Sequence, residues 1–180
     1  MTENTQKPYE MLTDKVTGLS VPNVGAEANR QEVEQVLMEI KGYAPGDIAV
    51  DTPVAIEANG ISYHSALDLV VSVEGKPVMV IKCAAASLGS REREVLAAAR
   101  VCLETAPPLA AASDGRDWLV WDVNTGKAVG QGLEAVPSRN KALEILSRYV
   151  PRQLPEKILA RERIIFRSYD MDNVNVVRKA

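Results

Sequence analysis

Residues 61–73 and 77–84 constrain this chain more than any other part of it. Both segments are apolar at odd and even positions alike, with Leu67, Leu69, Val70, Val71 and Val73 in the first and Val78, Met79, Val80 and Ile81 in the second. Side chains alternate between the two faces of a strand, so strands of this kind need apolar cover on both sides. Glu74-Gly75-Lys76 between them reads as a three-residue, glycine-bearing hairpin turn. A sheet with helices above and below it is expected. One residue breaks the apolar run: Lys82, followed by Cys83 and a run of alanines. An amine in such surroundings is costly unless a negative group meets it.

The remaining segments supply the rest of a sandwich. Over residues 26–41, Val33, Val36, Leu37 and Ile40 recur at i, i+3, i+4 and i+7, one helical face, with Gly42 placed to end the helix. Residues 48–56 read as a strand, and residues 90–104 as a helix stopped by Pro107-Pro108. Two short strands follow at 109–113 and 118–123, then helices at 139–149 and 156–167. Trp118 and Trp121 fall on opposite faces by parity, one of them for the core and the other available for contact. Residues 1–24 lack periodicity and are expected to form an arm with little structure of its own. Residues 25–170 are expected to form the domain, including its C-terminal helices, and 171–180 a tail.

Composition excludes several functions. The formal net charge is −3, which gives no overall attraction to nucleic acid or anionic lipid. The charge is uneven, however: from Arg148 onward there are eight basic and four acidic residues, a local +4 against −7 for the rest. That end can meet phosphate or can be the solvated side of a helix. A single histidine, His64, and two cysteines without ligand spacing argue against zinc. No apolar run approaches the roughly 20 residues of a membrane span. Free thiols and a polar start without a signal-peptide core lead to the expectation of a cytoplasmic protein.

Three stretches carry a resemblance: V33-E-Q-V-L-M-E-I-K-G-Y43, A66-L-D-L-V-V-S-V-E-G-K-P-V-M-V-I81, and S113-D-G-R-D-W-L-V-W-D-V-N-T-G-K127 followed by V136-P-S-R139. In this order and spacing the chain resembles the N-terminal nuclease domain of type I restriction enzyme R subunits, over about residues 30–139. The resemblance implies the restriction-endonuclease-like fold, an α/β/α sandwich around a mixed sheet of about five strands. It also implies a motif of the form D…(E/D)-x-K, in which two carboxylates hold Mg²⁺ against the scissile phosphate and a lysine steadies the attacking water. No phosphate-binding G-x-x-x-x-G-K-[ST] loop is present for a motor region, so a stand-alone nuclease-like domain is expected.

Asp68 matches the first aspartate of that motif. The following strand reads P77-V-M-V-I-K-C-A-A85, which puts Lys82 at the carboxylate position and Ala84 at the lysine position. Residues 78, 80, 82 and 84 share one face by parity, and a three-residue turn sets Asp68 opposite Lys82 on it. Lys82 is then expected to stand in for the metal, leaving a degenerate site with no cofactor. The alternative is a rearranged Mg²⁺ nuclease with Asp68 and Glu94 as ligands and Lys82 as catalytic lysine. Arg91, Arg93 and Arg100 can meet phosphate near the cleft or pair with acids along the helix. Glu32 and Glu34 fit an outer metal contact less well than a solvated helix face. DNA, a protein partner or a second copy of the chain are the partners these features allow, the last two for a binding or purely structural module; a membrane is not.

Overall fold

The computed structural model describes residues 9–172. In chain order it contains β1 (Met11–Thr13), β2 (Ser20–Pro22), α1 (Glu27–Gln35), β3 (Ile48–Ala58), β4 (Ile61–Val73) and β5 (Lys76–Cys83). These are followed by α2 (Glu92–Val101), β6 (Leu109–Ser113), β7 (Trp118–Asp122), β8 (Ala128–Gln131), α3 (Arg139–Arg148) and α4 (Glu156–Asp172). The main sheet has six strands in the order β3-β4-β5-β6-β7-β8. Every pair is antiparallel except β5 and β6, which run parallel. A parallel pair needs a crossover, and α2 supplies it.

The doubly apolar strands are covered on both faces. On one side Val33 from α1, Leu37 from the helical turn that follows it and Ala142 from α3 pack on Leu69, Val71, Met79, Ile81 and Trp118. On the other, Val95 and Leu96 from α2 and Phe166 from α4 pack on Val70, Val80, Ala110 and Trp121. The fold is therefore the expected α/β sandwich on a mixed sheet. Both tryptophans are buried, one per face, so neither is exposed for contact.

Four local expectations are corrected. The sheet gains a sixth strand, β8, which is short, mostly exposed and interrupted by Gly130, and so carries no apolar alternation. The arm holds a hairpin: β1 pairs with β2, and Asp14 between them is almost fully buried. Ile40 is exposed because α1 runs on into a π-turn over Val36–Ile40, with the Lys41 N–H bonded to the Val36 carbonyl. That wider turn rotates Ile40 off the buried stripe. The helix α4 extends to Asp172, two residues into the stretch expected to be tail, and residues 173–180 lie outside the described part.

The turn between β4 and β5 is also shorter than expected. Val73 pairs with Lys76, so Glu74 and Gly75 alone form it, both at positive φ (52° and 74°) as a type I′ turn requires. The register then shifts: Ser72 pairs with Pro77, but Val71 pairs with Met79. Val78 is the extra residue of a β-bulge. It consequently packs on the same face as Met79 and Ile81, not with Val80 and Lys82 as parity implies.

Candidate functional site

Beyond the bulge the pairing continues through Leu69↔Ile81, which brings Asp68, in the middle of β4, beside Lys82, near the end of β5. Lys82 Nζ lies 3.4 Å from Asp68 Oδ1. The other oxygen, Asp68 Oδ2, accepts the Cys83 N–H at 2.8 Å. From α2, Glu94 reaches the same amine, with Oε1 3.3 Å from Lys82 Nζ. One turn earlier, Arg91 Nη1 meets Glu94 Oε2 at 3.1 Å. The result is a chain of alternating charge, Asp68–Lys82–Glu94–Arg91, that sums to zero.

Burial sharpens these contacts. The Glu94 side chain is 2% exposed and the Lys82 side chain 14%. Desolvation alone would lower the lysine pKa, but Asp68, then Glu94 and Asp170, more than offset it, and the net shift is upward. Lys82 is an ammonium at any physiological pH. Phe166 and Asp170 of α4 line the crevice beside it. Asp170 Oδ2 accepts hydrogen bonds from Tyr63 Oη (2.6 Å) and Ser65 Oγ (2.5 Å). Ala84 is buried, its N–H donating to the Ser113 carbonyl and its carbonyl accepting from Asn29 Nδ2. Its methyl side chain carries no polar or titratable group.

The other basic residues separate. Arg93 is exposed on α2. Arg100 turns away from the crevice: Nε and Nη2 donate to the Val123 carbonyl and Nη1 to Glu162 Oε1 at 3.0 Å, which braces α2 against α4. Glu32 is exposed, and its Cβ lies against the tight turn at Gly115.

Glu34 is not solvated. It is wholly buried in a second charged cluster, missed in the sequence, that centres on Arg30. Arg30 Nη2 contacts Asp14 Oδ2 at 3.0 Å and Glu27 Oε1 at 2.6 Å, while Nη1 lies 3.5 Å from Glu34 Oε1 and 3.6 Å from Asp51 Oδ2. Desolvation pushes Glu34 up to about 7, with Arg30 opposing it and Asp14 adding to it. The sequence did hold a signal: Glu27, Arg30, Gln31 and Glu34 recur at i, i+3, i+4 and i+7, a polar stripe at the helical period. Asp51 of β3, at φ 49°, falls between the pairs Val50↔Leu69 and Thr52↔Leu67, at the level of Asp68 on β4.

A family model described as type I restriction enzyme R protein N terminus matches residues 25–137. The chain belongs to that family. The match begins at α1 and ends just before α3, so it contains Asp68, Lys82, Glu94 and the Arg30 cluster's α1 and β3 members, while the β1–β2 hairpin, α3 and α4 lie outside it. No curated protein and no solved structure matches the chain. Of the acids considered as metal ligands from the sequence, Asp68 and Glu94 share Lys82, while Glu34 lies apart on Arg30. Among the described residues no group of three or more His, Cys, Asp or Glu side chains is arranged to hold a metal ion. No helix of the described part is long and apolar enough to cross a membrane.

Proposed function

We propose that this R-protein N-terminal domain is a catalytically degenerate, metal-free member of its family that binds DNA. The observation that carries the reading is Lys82: an ammonium held between Asp68 and Glu94, where the nuclease pattern seats a cation between carboxylates. All four oxygens of those two acids have partners, Asp68 in Lys82 and the Cys83 N–H, Glu94 in Lys82 and Arg91. A divalent ion at about 4 Å from the ammonium would be repelled by on the order of 8 kcal/mol at an effective dielectric of 20. The residues therefore do not fit Mg²⁺. Exposed Arg93 on α2, the helix that carries Glu94, gives that helix a basic residue suited to phosphate contact.

Calorimetric titration with Mg²⁺ and Mn²⁺ tests the metal half of the reading, and no saturable heat is expected. Converting the motif with Lys82→Glu and Ala84→Lys together is expected to create a divalent site. Salt-dependent retardation of a DNA duplex tests the binding half.

A second reading is favoured by one contact, the approach of Glu94 to Lys82. Asp68 and Glu94 would then be ligands of a rearranged Mg²⁺ site and Lys82 its catalytic lysine. Metal-dependent cutting of plasmid DNA that disappears in Asp68→Ala would establish it against the first.

A further inference from the structure

The crevice that exposes Lys82 is roofed by α4, a helix beyond the stretch that the family model matches. Its seat is built, not incidental. Phe166 is buried against the sheet, Asp170 takes the hydroxyls of Tyr63 and Ser65, Glu162 is tied to Arg100, and the Arg167 guanidinium lies 5.8 Å from the Tyr63 ring centroid. Asp170 also adds a third carboxylate to a crevice whose other charges, Asp68 and Glu94 against Lys82 and Arg91, already cancel. A phosphate approaching Lys82 meets an aromatic ring and a surplus negative charge, both supplied by α4.

We propose that α4 is an autoinhibitory cover whose Phe166 and Asp170 compete with a DNA phosphate for the Lys82 side of the crevice. This rests on the DNA-binding reading above. The protein with α4 seated is the closed state, and the affinity for DNA is the intrinsic affinity scaled by the fraction in which α4 has lifted. Weakening the seat raises that fraction. Asp170 is the more specific lever, because losing it removes both the clamp on β4 and the competing charge.

The test uses the full chain and a short fluorescent DNA duplex in chelator, comparing wild type with Asp170→Ala and, separately, Phe166→Ala. Reductive methylation of Lys82, read by mass spectrometry, reports opening independently of binding. Expected are about tenfold tighter duplex binding in Asp170→Ala, a several-fold faster Lys82 methylation in both variants, and protection of Lys82 by the duplex. Faster methylation with unchanged or weaker binding would overturn the proposal, since α4 would then belong to the DNA-contacting surface. Unchanged methylation in both variants would also overturn it, because α4 would not be what closes the crevice. Faster methylation with no duplex binding by any of the three proteins would remove the competitor, and would place the failure in the DNA-binding reading and not in the cover.

Discussion

Asp68 holds Lys82 twice over, directly through Oδ1 at 3.4 Å and indirectly through Oδ2, which fixes the next backbone N–H, that of Cys83, at 2.8 Å. The carboxylate therefore positions both the ammonium and the strand that carries it. Asp68→Asn keeps an acceptor for the backbone but loses the charge, and is expected to cost about 1–3 kcal/mol in urea unfolding at neutral pH. Combining it with Lys82→Met is expected to cost less than the sum of the single changes, since the pair acts as a unit.

Lys82→Met strands two acids that the ammonium now neutralises. A loss of about 2–4 kcal/mol is expected at pH 7. In the wild type the folded-state pKa of Lys82 lies above its unfolded value, so its contribution is fully present below the ordinary lysine range and is lost only as pH rises through the raised value. Chemical unfolding measured from acid to alkaline pH checks both statements.

Glu34 gives the neutral range its own slope. Its carboxyl is raised to about 7 from an ordinary 4.5, so the stability linked to it is complete below about 4.5 and is lost as pH climbs through 7. The facing charges are Arg30 and Glu27 on α1, Asp14 from the β1–β2 hairpin and Asp51 from β3. Up to about 3 kcal/mol is at stake between those limits. Glu34→Gln should flatten the profile, with a higher midpoint than wild type above pH 7.

Two glycines separate strain from crowding. At Gly115 (φ +93°) an added Cβ would lie 2.4 Å from the Glu32 Cβ, so Gly115→Ala must push α1 away from the turn after β6, at an expected cost of about 2–4 kcal/mol. At Gly75 (φ +74°) the space is open, and Gly75→Ala should cost only about 1 kcal/mol. Thermal melts of the two variants give the comparison.

The pairing of Asp68 with Lys82 was legible because two facts sufficed: strand parity and the number of residues between Val71 and Met79. The way that number is spent was not legible. A three-residue turn and a two-residue turn with a bulge have the same length, and only the αL tolerance of Glu74 and the packing of Val78 against Met79 distinguish them. Apolar periodicity recovered the sandwich and its helices, but β8 lacks that periodicity. The β1–β2 hairpin is held by Asp14 on Arg30, a tertiary ion pair between residues 16 apart that no local pattern announces. Glu34 was read as solvated because charged residues on a helix usually are. The stripe it shares with Glu27 and Arg30 faces inward only because Arg30 gives it a counter-ion.

The bulge at Val78 has a consequence for how this hairpin tolerates change. Whether the odd residue sits in the tip, in the strand or is deleted outright, Met79 still meets Val71, and everything downstream keeps its partner and its side of the sheet. Length drift at the β4–β5 tip is thereby insulated from the ammonium at the opposite end. A Val78 deletion should loosen the greasy layer under α1 while leaving Lys82 beside Asp68.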